Sequence, residues 1–416
     1  MKILIIGDGG REHSLAWKIS QSPRVSSILC APGNPGTARF GKNFAISHPN
    51  SIFNLARKEK VDFVIFTSET FSQKELLSWL AKENILVFAT APEVMRLEQS
   101  ILFAKQFMVQ YQIPTSSYRV FSYAEEAKDY LRKDSFPLLL RVEGLNSEQG
   151  TFVCDDPLTT RKLIEEILVR RKFGEDIGKQ IILEEFLQGL EISMMVLVDG
   201  STLAPFPPTT ANRILGKKQK LLSQGLGAIA PCPNLNPDQL KRIEEEILIP
   251  TIHGMKTEGL PLRGLFQVRC ILSNRGPKAT AFKVGFSEPE IQALLPLCRS
   301  DFFSHLYAAA TGTLSEENIE WSSETVANVV VFSQKKEGPD TCLTELPSSS
   351  DPSCMVFFHQ IRQKDQQYYF RDGPIFSISA KADSLELAQN TAFQMAEKIS
   401  FNGAFFSRDL GTAPSV

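Results

Sequence analysis

The sequence predicts an α/β protein with two or three domains. Its 416 residues are about two to three times the usual size of a single hydrophobic core. Over roughly the first hundred residues, short β-branched runs alternate with helical stretches, which is typical of a parallel sheet covered by helices on both faces. The hydrophobic share of 43% and the charged share of 22% are close to the averages of soluble globular proteins, so a large buried core is available.

Charge, hydropathy and cysteine usage narrow the functional classes. The 45 Lys and Arg residues are interleaved with 47 Asp and Glu residues, which favours neither a nucleic-acid partner nor a membrane surface. The chain has no apolar run of about 18 residues and no signal peptide, so we expect a cytoplasmic protein. The seven cysteines lie far apart and form no C-x-x-C pair, a pattern typical of reduced structural thiols.

The N-terminal region predicts alternating strands and helices. The strand-like run Lys2–Ile6 leads through a glycine turn into a helix with Leu15, Ala16 and Ile19 in its apolar pattern. Further strands are predicted at Ser26–Cys30, Val61–Phe66 and Ile85–Phe88, and a further helix at Lys74–Glu83. These elements together predict one α/β domain.

The rest of the chain mixes strands and helices. We predict strands at 137–142, 151–154, 181–187 and 192–198, and helices at 100–112, 159–171, 236–249 and 384–399. A β-rich tail begins at about Val326. Within this tail, the Pro- and Ser-rich segment 347–352 is more typical of a long exposed loop than of a domain boundary.

The segment Gly7-Asp8-Gly9-Gly10-Arg11-Glu12-His13 is the sharpest local signal for a ligand site. Glycines at a strand-to-helix turn let backbone N–H groups approach an anion, and the helix N-terminus adds a partial positive charge. The turn is compatible with a bound phosphate and equally with a tight turn that binds nothing, since the third glycine of a dinucleotide fingerprint is absent. The other histidines, at positions 48, 253, 305 and 359, are too scattered to predict a metal site or a hydrolase triad.

Two motifs together indicate a known family. The segment Ala31-Pro32-Gly33-Asn34-Pro35-Gly36-Thr37 follows the second strand, and with the glycine turn it resembles the phosphoribosylamine–glycine ligases, the glycinamide ribonucleotide synthetases of purine biosynthesis. The resemblance continues in the family's order over nearly the full length. Further matching segments are Leu97-Glu98, Phe103, Lys105, Phe107, Ile113-Pro114-Thr115, Glu184-Glu185-Phe186-Leu187, Val198-Asp199-Gly200, Pro289-Glu290, Gln292 and Arg408-Asp409-Leu410-Gly411.

The resemblance implies an ATP-grasp fold and a ligase reaction. An N-terminal Rossmann-like domain would cover 1–98, the ATP-grasp domain 99–325, and a mixed α/β C-terminal domain 326–416. ATP and Mg²⁺ would convert glycine to an acyl phosphate, and the amine of phosphoribosylamine would attack it to form the amide of glycinamide ribonucleotide. Both substrates would lie between the N-terminal domain and the ATP-grasp domain.

The resemblance also implies two groups of binding residues. The phosphoribosylamine side would use Gly9, Gly10, Arg11, Glu12, Asn34, Glu288 and Glu290. The nucleotide side would use Arg141 near the phosphates, Glu185, Phe186 and Leu187 as the adenine hinge, and Glu191 as the acceptor of the ribose hydroxyls. Without the family fold, these acidic side chains are equally compatible with a solvated strand edge and turn.

Several positions depart from the family's pattern around the nucleotide phosphates. One phosphate lysine of the family is Ile101 here, and a second is Arg141, which keeps the charge but not the compact ammonium group. In the phosphate loop, Glu148 and Gln149 stand where the family has Gly and Lys, and an acidic residue repels a triphosphate. The basic run 217–220 is compatible with a solvated loop, the simpler interpretation, or with a replacement anion site.

The expected metal site departs most from the pattern. The family places Glu and Asn one residue apart on a strand so that both face Mg²⁺, and these positions are Ala281 and Lys283 here. Alanine offers no ligand and lysine repels the ion, so the simpler interpretation is loss of magnesium-dependent phosphoryl transfer, although Lys283 could act as a fixed cation instead. On the substrate side, Gly285 replaces a family arginine, and the segment 334–339 replaces a glycine-rich one.

Three functions are therefore open. The leading interpretation is the family reaction with a modified metal site. The second is a catalytically inactive homologue that binds phosphoribosyl or nucleotide ligands or serves as a partner protein. The third is an ATP-grasp ligase for another amine and carboxylate. The residues Ile101, Glu148, Ala281 and Lys283 favour weak or absent turnover.

Overall fold

The computed structural model describes residues 1–67, 74–131, 136–145, 150–212, 225–333 and 340–410. Glu148, Gln149, the basic run 217–220 and the segment 334–339 lie outside these ranges. Within them, no helix is both long and apolar enough to cross a membrane. The predicted domain boundaries at 98/99 and 325/326 stay predictions.

The N-terminal region forms the predicted parallel sheet. Its strands and helices, in chain order, are β1 (Lys2–Gly7), α1 (Gly10–Ile19), β2 (Ser27–Pro32), β3 (Lys42–Asn43), α2 (Pro49–Lys58), β4 (Phe63–Phe66), α3 (Lys74–Lys82), β5 (Leu86–Phe88), α4 (Arg96–Gln99) and α5 (Ile101–Gln110). The strand order is β3-β2-β1-β4-β5, and every pair is parallel. Because parallel strands end at the same edge, the glycine turn after β1 and the residues after β4 lie side by side.

Two antiparallel sheets follow. The first has the order β6-β9-β7-β8 and the second β11-β10-β14-β15. The elements of this region, in chain order, are β6 (Tyr118–Phe121), α6 (Ala124–Tyr130), β7 (Leu138–Val142), β8 (Thr151–Cys154), α7 (Pro157–Ile164), β9 (Ile181–Glu185), β10 (Leu190–Val198), β11 (Leu203–Pro205), β12 (Thr210–Asn212), β13 (Gly227–Ala230), α8 (Pro237–Ile243), α9 (Ile249–Thr257), β14 (Gly264–Ser273) and β15 (Gly276–Val284); of these, β12 and β13 belong to the C-terminal sheet described below. An ion pair between Lys278 of β15 and Glu185 of β9 joins the two sheets.

One predicted helix is longer than expected. The sequence predicts a helix over 236–249, and the residue that follows, Pro250, ordinarily stops a helix because it has no N–H and its ring crowds the carbonyl four residues earlier. The structure continues through Pro250 to Thr257, since a π-helical turn at Glu244–Leu248 joins α8 to α9. The wider turn just before the proline relieves the crowding of the helix interior.

The C-terminal region completes a third antiparallel sheet, with the order β12-β13-β16-β21-β18, together with a small hairpin sheet, β17-β20-β19. Its elements are α10 (Glu290–Leu294), α11 (Phe302–Thr311), β16 (Thr325–Ser333), β17 (Thr341–Leu343), β18 (Cys354–Phe358), β19 (Arg362–Lys364), β20 (Gln367–Phe370), β21 (Gly373–Ala382), α12 (Leu385–Lys398) and β22 (Ala404–Phe405). The predicted loop at 347–352 contains no helix or strand. Helix α10 and helix α11 pack in one core with the N-terminal strands, so these regions meet around the glycine turn.

Candidate functional site

The glycine turn is shaped by the side chain of Glu12. The Gly9 N–H donates to Glu12 Oε2 at 2.6 Å, and the Thr67 hydroxyl donates to Glu12 Oε1. A Cβ atom at Gly7 would lie 2.5 Å from Glu12 Oε1, and Gly7 has a φ of 135°, so a side chain is excluded there twice over. Burial raises the pKa of the Glu12 carboxyl, although the neighbouring Arg11 opposes the shift. Glu12 is therefore a buried support of the turn.

Arg11 connects the turn to the residues that follow β15. Its Nη1 donates to the carbonyl oxygen of Phe286 at 3.0 Å, and its Nε lies 3.8 Å from Glu288 Oε2 and 3.4 Å from Glu12 Oε1. The side chain is still partly exposed. This guanidinium is thus held in place by protein groups while one side faces the cavities described below.

Glu288 and His359 form the opposite wall. Glu288 Oε1 accepts from Gln292 Nε2 at 2.7 Å and lies 3.8 Å from His359 Nδ1. Burial opposes ionisation of Glu288, yet His359 and Arg11 hold the pKa of this carboxyl below its usual range. Burial lowers the pKa of His359 despite the nearby Glu288, and its Nε2 is 2.8 Å from the Ser377 hydroxyl. No sequence motif points to His359, because its neighbours at the site are distant in the chain.

Asn34 and His13 fasten the glycine turn to β18. The Asn34 side-chain amide donates to the carbonyl oxygens of Asp8, at 2.8 Å, and of Phe358, at 2.9 Å, while its oxygen accepts from the Gly36 N–H. The Phe358 N–H donates to His13 Nδ1 at 2.8 Å, and burial lowers the pKa of His13 to about 3, so the imidazole is neutral. The described contacts make Asn34 a positioning residue, and its contact with a ligand stays a prediction.

Two neighbouring cavities open at this junction. The larger, about 480 Å³, lies between the glycine turn and the hairpin sheet. The smaller, about 200 Å³, extends toward the end of β15. Both are bordered by Arg11, Glu288 and His359; the larger also by Gly9, Glu12, Arg362 and Arg371, and the smaller by Glu98 and Lys283. The structure thus brings Gly9, Arg11, Glu12 and Glu288 together around the larger cavity, and their contacts with a ligand stay predictions.

Glu290 lies apart from these cavities. Its side chain is fully buried and accepts from Gln267 Nε2 at 3.2 Å and from the Ser287 hydroxyl at 3.2 Å. Neither cavity is lined by Glu290. A carboxylate bonded in this way supports the sheet under the site, and its predicted role in binding a substrate stays a prediction.

The predicted phosphate residue Arg141 is engaged inside the protein. Its Nε lies 2.7 Å from Glu184 Oε1, and Lys105 Nζ lies 2.9 Å from Glu184 Oε2. Lys105 also donates to the hydroxyl of Ser116 at 2.7 Å. Burial would raise the pKa of Glu184, but Arg141 and Lys105 hold it below its usual range. The buried carboxylate therefore fixes both cations, and Arg141 is held by Glu184 under the sheet.

The predicted adenine hinge lies where the two antiparallel sheets meet. Glu185 ends β9, and its Oε2 is 3.3 Å from Lys278 Nζ. Phe186 and Leu187 follow directly, with Leu187 buried and Phe186 half-buried. After a turn the chain enters β10, where Glu191 lies opposite Ile271 of β14. Glu185, Phe186 and Leu187 are thus consecutive at the end of β9, and Glu191 follows on the next strand; their contacts with a nucleotide stay predictions.

The expected magnesium positions lie on β15. Ala281 is opposite Arg269 of β14, which is only 4% exposed, and Lys283 Nζ lies 2.9 Å from Glu98 Oε1. Glu98 Oε2 accepts from the Val284 N–H at 2.8 Å, so both its oxygens are engaged. Magnesium prefers several hard oxygen ligands in octahedral geometry, and neither a methyl group nor an ammonium provides one. Magnesium therefore does not fit these residues.

The described residues offer no alternative cluster of metal ligands either. In the described ranges, no group of three or more His, Cys, Asp or Glu side chains is placed to hold a metal ion. The sequence reasoning missed Arg269, whose position opposite Ala281 depends on strand pairing. In the sequence, a single arginine within an apolar strand does not indicate that it lies beside a binding site.

Comparison with known proteins places this geometry in a family. The chain matches the model of the phosphoribosylglycinamide synthetase N domain over residues 1–98 and that of the ATP-grasp (A) domain of the same enzyme over 99–291. It is 30% identical to the phosphoribosylamine–glycine ligase of Caldanaerobacter subterraneus subsp. tengcongensis over 414 residues, 99% of each chain.

Solved structures show the same fold. The chain resembles the phosphoribosylamine–glycine ligase of Thermotoga maritima with a TM-score of 0.82 and 23% identity, over 99% of this chain and 100% of that one. It also resembles the biotin carboxylase domain of Hydrogenobacter thermophilus 2-oxoglutarate carboxylase, solved with MgADP, with a TM-score of 0.72 and 13% identity, over 98% and 92%. The predicted α/β ATP-grasp fold is thereby confirmed.

Proposed function

The chain belongs to the phosphoribosylglycinamide synthetase family of purine biosynthesis, and we propose that this member keeps the family's phosphoribosyl site but has lost magnesium-dependent ATP chemistry. It is then a ligase-like protein that binds a phosphoribosyl ligand, of the kind represented by phosphoribosylamine or glycinamide ribonucleotide, without forming the acyl phosphate of glycine.

The observation that carries the proposal is the ion pair at the expected metal position. Lys283 lies 2.9 Å from Glu98, and Ala281 beside it has no oxygen to offer. In phosphoryl transfer a metal bridges the β- and γ-phosphates and neutralises the charge that develops on them. An ammonium held in this place is a single positive charge and cannot bridge in octahedral geometry, so activation of glycine is not supported.

Two further positions support the loss of turnover. Ile101 begins α5 with an apolar side chain where the family has a phosphate lysine, and it is buried. Arg141 is held through its Nε by the buried Glu184, 2.7 Å away, so this carboxylate already balances part of the charge that the sequence assigns to the phosphates.

The phosphoribosyl side is supported by a cavity of suitable size and chemistry. Its volume of about 480 Å³ falls in the range of small-molecule sites. The Gly9 turn precedes a helix of ten residues, α1, whose N-terminus favours an anion, and Arg11 borders the same space. Arg362 of β19 and Arg371, just after β20, border the same cavity, although Arg371 is ion-paired with Asp340 at 2.9 Å and the carboxylates of Asp8 and Asp372 also line the space.

Binding and turnover test the proposal separately. We expect isothermal titration with glycinamide ribonucleotide and with ribose 5-phosphate to show binding. With ATP, Mg²⁺, glycine and freshly made phosphoribosylamine, we expect no ADP release above the protein-free rate, while the Caldanaerobacter ligase assayed alongside releases ADP. Release of ADP by this chain at a comparable rate would overturn the proposed loss of activity.

A matched pair of variants tests the phosphoribosyl site. Arg11→Ala should weaken glycinamide ribonucleotide binding by at least about tenfold, because a charge-assisted contact is lost. Arg57→Ala removes a different ion-paired arginine, 3.3 Å from Glu83 and remote from the turn, and should leave the affinity unchanged. Equal affinities for the two variants, both with native melting temperatures, would remove the site assignment.

A further inference from the structure

A cluster of three side chains lies at the start of α11, and none of the three lines either cavity. Ser300 precedes the helix by two residues, His305 lies on its first turn, and Glu317 follows the helix. The Ser300 hydroxyl lies 2.6 Å from His305 Nε2, and Glu317 Oε2 lies 2.6 Å from His305 Nδ1. A hydroxyl, an imidazole and a carboxylate are thus joined in the order that nucleophilic catalysis requires. Sequence spacing does not predict this grouping, which depends on how the chain folds back after α11.

A backbone group decides how the protons of the cluster are arranged. The Glu320 N–H donates to the Ser300 hydroxyl oxygen at 3.0 Å. The hydroxyl proton is then available for the bond to His305 Nε2. In a neutral ring the other nitrogen carries the proton, so the N–H at Nδ1 faces the Glu317 carboxylate. This is the tautomer in which an imidazole takes a proton from a serine.

The three side chains pass from the core to the surface. The His305 side chain is 3% exposed and that of Glu317 is 25% exposed, while Ser300 is half-buried. The imidazole is therefore shielded from bulk water, and the hydroxyl stays within reach of a small reagent. The contact at Nδ1 is close but bent, since the carboxylate lies off the direction of the N–H. Catalytic hydrogen bonds are often poorly aligned before a substrate is bound.

The segments before and after α11 are also joined without these side chains. The Arg299 N–H donates to the carbonyl oxygen of Glu320 at 2.8 Å, and the Ser322 N–H donates to that of Leu297 at 2.7 Å. Because these backbone bonds already hold the two segments together, His305 is not needed for that purpose. Its position between a hydroxyl and a carboxylate favours a chemical role.

We propose that Ser300 is an activated nucleophile for small carboxylic esters, with His305 as general base and Glu317 as the residue that positions it. Ser300 Oγ bonds to the ester carbonyl carbon while its proton passes to His305 Nε2, and the alcohol leaves with that proton as the ester bond breaks. Water then attacks the acyl-serine by the same route, so that the carboxylic acid departs and the Ser300 hydroxyl is restored. This activity needs neither metal nor nucleotide and is independent of the proposed phosphoribosyl site.

A fluorophosphonate probe, which reacts with activated serine hydroxyls, tests the proposal on the full chain. We expect intact-mass spectrometry to show one adduct and peptide mapping to place it on Ser300. Ser300→Ala should abolish the adduct. Ser322→Ala is the matched control, since it removes another half-buried hydroxyl, which donates to Glu324 Oε2 at 2.7 Å, and it should leave labelling unchanged. No adduct, or an adduct that survives Ser300→Ala, would overturn the proposal.

Ester turnover gives a second measurement on the same samples. p-Nitrophenyl acetate should release a burst of about one equivalent of p-nitrophenolate, as an acyl-enzyme forms, and Ser300→Ala should lose the burst. A burst of equal size in Ser300→Ala would contradict the assignment of the nucleophile.

Further variants measure the effect of the base. His305→Gln should slow labelling of Ser300 by about a hundredfold, and Glu317→Gln by at least about tenfold, both at native melting temperatures. Ser300→Cys keeps the histidine in place, and a thiol beside a base ionises readily. Iodoacetamide should therefore alkylate position 300 at least about tenfold faster than position 322 in Ser322→Cys. Equal labelling rates with and without His305, or equal alkylation at the two positions, would show that the cluster is only structural.

Discussion

Restoring the two expected ligands should not by itself restore magnesium binding, because Arg269 stands opposite one of them. In the variant Ala281→Glu with Lys283→Asn, the new carboxylate at position 281 faces the Arg269 guanidinium across the strand pair. Directly opposite side chains have Cβ atoms about 5 Å apart. A carboxylate in this place would pair with the arginine before it could hold a metal ion.

The size of the effect follows from Coulomb's law. A doubly charged ion and a single positive charge about 5 Å apart repel each other by about 7 kcal/mol at an effective dielectric constant of about 20, and this figure is an upper bound here because about 5 Å separates the Cβ atoms rather than the charges. Even a fifth of this repulsion, about 1.4 kcal/mol, changes a binding constant tenfold. We therefore expect the triple variant, which adds Arg269→Ser, to bind Mg²⁺ or Mn²⁺ at least about tenfold more tightly than the double variant.

Isothermal titration with Mn²⁺ and with Mg²⁺, in the absence of nucleotide, measures the difference directly. The variant Arg269→Ser alone is the control for loss of a buried side chain, and its melting temperature shows whether the sheet tolerates the change. Equal metal affinities of the double and triple variants would refute the argument from Arg269.

Three further predictions concern stability. Glu184→Gln should lower the free energy of unfolding by about 3–5 kcal/mol in urea titrations, because Lys105 and Arg141 lose their buried partner. The control Glu166→Gln, which breaks an exposed ion pair with Lys172, should change it by less than about 1 kcal/mol. Asn34→Ala should cost about 1–3 kcal/mol and raise hydrogen exchange at the Gly36 and Thr37 amides, because both donate to Asn34 Oδ1 and lose this acceptor; unchanged exchange would contradict this. The pKa of His13 is about 3 in the folded protein and about 6.5 in the unfolded chain. Between these two pH values only the unfolded chain binds a proton at His13, so the free energy of unfolding should fall by about 5 kcal/mol as the pH is lowered from 6.5 to 3. His13→Gln should remove that part of the acid sensitivity in urea titrations at several pH values, and an unchanged slope would contradict the assignment.

The N-terminal sheet could be predicted closely because its signals are local. Each buried strand of a parallel sheet is a short apolar run, and turns punctuate the runs, so β1, β2, β4 and β5 were placed to within one or two residues. The helix that passes Pro250 could not be predicted, since the π turn that accommodates the proline leaves no distinct pattern in the sequence.

The candidate site could be predicted only where the motif is contiguous. Arg11 and Glu12 follow directly from the glycine turn, and both border the larger cavity. Arg269 and His359 could not be found in this way, because they reach the site through strand register and through packing of distant segments. The partners of Arg141 and Lys283 were unpredictable for the same reason, and those partners decide what each cation can bind.

The hydrogen bonds from Asn34 have a consequence for the order of events during synthesis. Asn34 donates to Asp8 and to Phe358, residues that leave the ribosome far apart in time. The N-terminal strands can pair as soon as they emerge, since domains generally fold from the N-terminus onward. The contacts that hold the glycine turn, however, are complete only after β18 has been synthesised. A nascent or truncated chain that stops before this strand should therefore fold its first sheet and yet capture no phosphoribosyl ligand.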